Sequence, residues 1–118
     1  MRSIGKADNM KKTNRYEGGR LSVLSADGQE ILGELIDATW SDEVDADVTN
    51  HVLSGVASDG TYEEFLRLNA EGVSHVTFQF EANGDRFVGK ASLLLPSTDR
   101  RPGGNVIRIE TLTEPARG

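Results

Sequence analysis

Apolar residues in this chain recur mostly at every second position, and the runs that do so are separated by residue pairs that favour tight turns. Val76, Phe78 and Phe80 alternate with Thr77, Gln79 and Glu81, which gives one apolar and one polar face, the pattern of a half-buried strand. Asn83-Gly84 follows, a pair that tolerates positive φ at both turn positions, and Phe87, Gly89, Ala91, Leu93 and Leu95 alternate on the return. Leu93-Leu94-Leu95 breaks the alternation and predicts a strand end covered on both sides. Pro96, lacking an N–H, then ends the pairing. A second hairpin is predicted around Asp27-Gly28, between residues 20–25 and 30–40. In its return run Leu32, Glu34, Ile36, Ala38 and Trp40 alternate with Ile31, Gly33, Leu35, Asp37 and Thr39. Aliphatics fall on both sides, so this strand is expected to be covered on both faces. Residues 106–112 form a last strand, with Ile107 and Ile109 pointing one way and Arg108 and Glu110 the other.

Between these strands the period changes. Residues 61–71 predict a helix: Thr61 and Glu64 have capping-box spacing, Tyr62, Phe65, Leu66 and Asn69 share a face, and Gly72 ends it. A strand paired across Asp59-Gly60 is the rival reading of that segment. Residues 41–50 are polar and acidic and read as an exposed loop, residues 52–57 as a short strand or an ordered loop, and residues 97–105 as a Gly-, Pro- and Arg-rich loop. The expected fold class is mainly β (α+β): a small β-sandwich or barrel of five to six strands with one α-helix. It occupies residues 15–113 as a single domain, flanked by a basic arm at 1–14 and a tail at 114–118. The arm reads either as a solvated terminus or as an interaction tail.

Composition narrows the function classes. The 118 residues include no cysteine, which excludes a disulfide scaffold, a thiolate metal site and a cysteine nucleophile. No apolar run approaches the roughly 20 residues of a membrane-spanning helix, and the first residues lack the apolar stretch of a secretory signal. A net charge of −6 opposes a protein that coats nucleic acid, because that affinity comes from neutralising phosphates. The charge is unevenly placed: residues 1–20 carry a net +4, residues 21–82 a net −12 and residues 83–118 a net +2.

Candidate chemistry is sparse. His51 and His75 lie at no ligand spacing from each other and read as surface or hydrogen-bonded histidines; no glycine-flanked nucleophile elbow and no phosphate-cradling loop occurs. Asp42, Glu43, Asp45 and Asp47 are the densest carboxylates. A calcium loop beginning at Asp45 would need Gly at its sixth position and Glu at its twelfth, where Asn50 and Val56 stand. The four acids therefore read as a solvated acidic surface available for assembly. Lys6, Lys11, Lys12 and Arg15 form a basic arm. Arg100 and Arg101, with Arg86 and Lys90 nearby, form a basic loop suited to an acidic protein surface, and the exposed aromatics usual in nucleic-acid readers are missing beside it. Trp40, the lone tryptophan, is either a core-edge residue or an interface anchor. No cofactor motif is present, and the expectation is a non-enzymatic protein.

Asp45-Ala46-Asp47-Val48-Thr49, the run from Gly60 to Leu68, Gly72, and Val76-Thr77-Phe78-Gln79-Phe80 together resemble the tail-tube proteins of tailed phages. Phe87-Val88-Gly89-Lys90-Ala91 and Gly104-Asn105-Val106-Ile107-Arg108-Ile109 are similar to that family's last two strands, so the resemblance covers about residues 45–112. It implies a β-sandwich or barrel with one helix whose copies form rings stacked into a hollow tube. A homo-oligomer made in the cytoplasm and incorporated with other virion proteins, with no membrane and no specific nucleic-acid binding, would follow. The acidic segment would then line a conduit that repels phosphate over a Debye length of about 8–10 Å, and the basic arm would bridge neighbouring subunits. The alternative is a small β-barrel binding module for a protein partner or a small ligand.

Overall fold

The computed structural model describes residues 10–95 and 98–118. Its elements are β1 (Met10–Leu24), β2 (Ile31–Asp45), β3 (Val48–Ala57), α1 (Asp59–Ala70), β4 (His75–Ala82), β5 (Asp85–Leu94), β6 (Arg100–Arg101), β7 (Gly104–Thr111) and β8 (Ala116–Arg117). All pairings are antiparallel, in the order β6-β7-β3-β2-β1-β4-β5-β8. A further pairing of β5 with β7, at Ser92–Leu94 against Arg108–Glu110, closes the six long strands into a barrel. The mainly β class with a single helix is thus as the pattern predicts. The six long strands match the expected number, and β6 and β8 are two-residue additions at the sides.

The barrel interior is filled by side chains. Leu21, Leu35, Trp40, Leu53, Phe65, Phe78, Phe80, Ile107 and Ile109 are all essentially inaccessible to solvent. The alternation of β4 holds residue by residue, with Val76, Phe78 and Phe80 buried, and Asn83-Gly84 makes the turn with φ of 55° and 83°. Helix α1 joins one end of β3 to the start of β4 and packs on β2, β3 and β7. Its Phe65 reaches the core over Gly33, where an added Cβ would come 2.8 Å from the ring.

Several sequence expectations are corrected. The cap of α1 is Ser58 instead of Thr61: the Ser58 hydroxyl accepts from the Thr61 N–H and donates to Thr61 Oγ1 at 3.0 Å. Glu64 is free of cap duty and pairs with Arg67 one turn on. Leu94 is exposed, so the end of β5 is not covered on both sides. The tail at 114–118 is not free, since Ala116 and Arg117 pair with Val88 and Phe87. The mixed pattern of β2 arises from a bulge. Leu35 and Ala38, three apart, both face the core, with the register against β3 shifting between Ile36 and Thr39 and Asp37 at φ 52°. One extra residue moves the apolar set from the odd to the even positions, and Ile36 is left 60% exposed.

The largest correction concerns residues 10–14 and 41–50. The first are strand, not arm, and the second are a continuous hairpin, not a loop. β1 pairs with β4 only from Arg20 onward and β3 pairs with β7 only from His51 onward. Before those points β1, β2 and β3 pair only with one another, as a three-stranded tongue that runs out of the barrel at the end opposite α1. Gly18 and Gly19 mark where β1 bends between the two. Gly18 has φ 70°, and an added Cβ at Gly19 would lie 2.5 Å from the Glu81 carbonyl.

Gly104 is held at φ 152°, with an added Cβ 1.8 Å from the Ala57 carbonyl oxygen, whereas Gly60 in α1 has open space around it. Gly104→Ala is expected to lower unfolding free energy by about 2–3 kcal/mol or to prevent folding, from backbone displacement and strain. Gly60→Ala is expected to raise it by roughly 0.5–1 kcal/mol, through helix propensity. Urea denaturation of both variants measures the contrast.

Candidate interaction surface

The base of the tongue is fastened to the barrel by one carboxylate. Asp42 lies on the inner face of β2, two residues past Trp40 and directly opposite His51 of β3. Its Oδ1 accepts from Trp40 Nε1 at 2.9 Å and faces His51 Nδ1 at 2.7 Å, and its Oδ2 accepts from Arg15 Nη1 at 3.1 Å. The Arg15 guanidinium also lies 4.2 Å from the Trp40 ring centroid and 3.7 Å from Glu114. Trp40 in turn stacks on Tyr16 at 5.6 Å and meets Phe87 edge-on at 5.0 Å. Burial would raise the Asp42 pKa, but the hydrogen bonds from His51, Arg15 and Trp40 outweigh it and hold the carboxyl below its ordinary value. An ionised carboxylate only accepts, so the proton between Asp42 and His51 is carried by Nδ1.

This knot relocates three predicted site residues. Trp40 is fully buried and is no interface anchor; Asp42 and Arg15 are bonded to each other and are not free for a partner. His51, also buried, has no Ser or Thr hydroxyl bonded to it among the described residues. His75 is exposed on β4, its Nδ1 3.2 Å from the Ser74 hydroxyl. Among the described residues no group of three or more His, Asp or Glu side chains is placed to hold a metal ion, and no helix is long and apolar enough to cross a membrane.

The outer face of the tongue sorts the remaining charges into bonded and free. Glu43 lies 3.6 Å from Arg108, which also reaches Glu110 at 3.5 Å, and Asn50 donates to Glu110 at 2.7 Å. Asp45 and Asp47 flank Ala46 in the turn between β2 and β3, exposed and without an ion pair among the described residues. Of the four predicted acids, then, two are spent within the fold and two project at the tip. Of the predicted basic groups, Lys6 lies outside the described residues. Arg100 is taken up by Asn105 at 2.7 Å and Asp59 at 3.4 Å. Lys11, Lys12 and Arg101 are exposed and unpaired among the described residues.

The fold brings Lys12 and Arg101, distant in sequence, to the lining of one polar groove of about 190 Å³ on the outer face, which Glu17 and Asp37 also line. Two larger open grooves differ in character. One of about 610 Å³ is lined by Val76, Ala91 and Leu112 beside Lys90 and Glu110. In the other, of about 660 Å³, Arg86 and Arg117 are already paired with Glu81 and Asp85. The Lys12–Arg101 groove was hidden in the sequence because it depends on the order of strands, which no local pattern specifies.

Compared with known proteins, the chain matches no protein-family model, no curated protein and no solved structure.

Asp42→Asn keeps the shape of the side chain but sets an amide N–H₂ toward a donor. It is expected to destabilise the fold by about 1.5–3 kcal/mol at pH 7, the usual worth of hydrogen bonds to a charged group. The folded carboxyl titrates below the unfolded one, so its contribution is complete above the ordinary carboxylate range and is lost as pH falls through the folded value. The gap between wild type and variant in urea denaturation should therefore be full at pH 7 and narrow below about pH 4.

Proposed function

We propose that this protein is a non-enzymatic, self-assembling structural subunit, in its most specific form a virion component of the tail-tube kind, made in the cytoplasm and built into the particle with other virion proteins. The observation that carries this reading is the tongue. Among the described residues, β1 before Arg20 and β3 before His51 have no strand on their outer sides. Such edges template pairing with another chain unless something covers them. Lys11 and Lys12 on one edge oppose association of two identical β1 edges, since like charges would meet, and favour a contact between unlike surfaces. A head-to-tail contact of that sort closes into rings or grows into filaments.

A second reading, a binding module, is favoured by the 610 Å³ groove, which sets apolar Val76, Ala91 and Leu112 beside Lys90 and Glu110. Its ligand would lie on the barrel's side, because Phe65 fills the core at one end and Tyr16 with Trp40 at the other.

Light scattering and negative-stain electron microscopy of the purified chain separate the two. Rings, tubes or a concentration-dependent rise in molar mass at low salt are expected; a monomer at every concentration, imaged as single particles, would contradict the assembly reading.

A further inference from the structure

We propose that the 610 Å³ groove on the barrel's side binds a small amphipathic monoanion, a carboxylate on an apolar body, with Lys90 holding the charge and Leu112 covering the body. This deepens the reading of that groove as a binding site and rests on it, whether or not copies assemble. The groove is made by an irregularity at the end of the chain. β7 pairs with β5 with Ser92 opposite Glu110, and β8 pairs with β5 with Val88 opposite Ala116. Between those two points β5 advances four residues and the chain returning along it advances six, so two residues loop out. Thr111 bends the chain there: its Oγ1 accepts from the Thr113 N–H at 3.1 Å, and its hydroxyl donates to the Thr113 carbonyl at 3.3 Å. The loop leaves Gly89, Lys90 and Ala91 with no strand on that side of β5 among the described residues. It also turns Leu112 outward, 71% exposed, into the lining of the groove.

Register and pleat set the polar groups that face the groove. His75 of β4 is directly opposite Ser92 of β5, and Ser92 is directly opposite Glu110 of β7. All three alternate with buried neighbours, so their side chains stand on the outer face, and Lys90 stands on that face two residues along β5. Directly opposite residues have Cβ atoms about 4.5–5.5 Å apart, which puts the imidazole, the hydroxyl and the ammonium within reach of one small ligand. Glu110 is occupied within the fold: it accepts from Asn50 at 2.7 Å and lies 3.5 Å from Arg108. Lys90 is exposed and has no ion pair among the described residues. The free charge of the groove is therefore one ammonium, which selects an anion over a neutral or cationic ligand. Glu110 close by opposes a second negative charge, so a monoanion is preferred to a dianion. Leu112, with Val76 and Ala91 also in the lining, supplies the apolar side.

Four probes that share one apolar tail test the selectivity: octanoate, 1-octanol, octylamine and octyl phosphate, each kept below its micelle or solubility limit. Titration into isotope-labelled chain, followed by amide chemical shifts, reads where and how tightly each binds. Octanoate is expected to move the amides of residues 89–92 and 110–112 together and to saturate. Octanol and octyl phosphate are expected to move the same amides with several-fold weaker affinity, and octylamine to leave them in place. Lys90→Gln is expected to weaken octanoate by about fivefold, the upper range for a surface ion pair, with octanol unchanged. Leu112→Ser is expected to weaken both. Both side chains are exposed, so the variants keep the fold. Octanoate and octanol binding the groove equally well, or octanoate binding undiminished in either variant, would overturn the proposal and leave the groove standing as a binding site. No shift at these amides with any of the four probes would overturn both.

Discussion

A single partly buried carboxylate ties three strands together where the barrel ends and the tongue begins. Asp42 is hydrogen-bonded by an indole, an imidazole and a guanidinium, contributed by β2, β3 and β1 respectively. Those are the three strands of the tongue, so one side chain joins them at the point where the flanking strands β4 and β7 fall away. Taking a carboxylate out of water is costly unless its lone pairs are satisfied; here donors reach both oxygens. The aromatic cluster of Tyr16, Trp40, Phe80 and Phe87 lies directly behind, and the Arg15 guanidinium covers the Trp40 face. The open end of the barrel is therefore shut by packing, and the tongue leaves it as a paired three-stranded extension.

Two departures from regular strand geometry set the shape. The Gly18-Gly19 bend re-aims β1, and the bulge at Asp37 rotates β2 so that Leu35 and Ala38 both serve the core. A non-glycine residue at φ 52° is a costly conformation; Asp37 itself has no ladder partner and is held by the pairing of Ile36 and Ala38 on either side of it. Its consequence lies on the outer face, where the bulge sets Asp37 into the polar groove that Lys12 and Arg101 also line. The inward facing of β2 and the lining of the groove thus share one irregularity.

How much of this the sequence discloses depends on whether a segment buries one face. β4 and β5 do, and their alternation with Asn83-Gly84 between them is readable directly; so is the helix, because Phe65 sits at helical spacing from its neighbours, although the cap lies three residues before the expected one. The tongue buries almost nothing on its outer side. Its strands read KKTNR and SDEVD, with Val44 the single apolar residue of the ten, and so resemble an arm and a loop. Trp40 and His51 were ambiguous for a related reason: their burial depends on Arg15, Asp42 and Tyr16, which arrive from other strands. The sequence names the charged candidates, but only strand order separates those spent inside the fold from those left free.

Amide hydrogen exchange across the concentration range of association tests most directly whether the tongue is the element through which copies meet. Residues 10–17 and 41–50 should gain protection as concentration rises, while β4 and the core of β5 stay unchanged. Protection that rises elsewhere on the barrel and leaves the tongue as open as in dilute solution would contradict it.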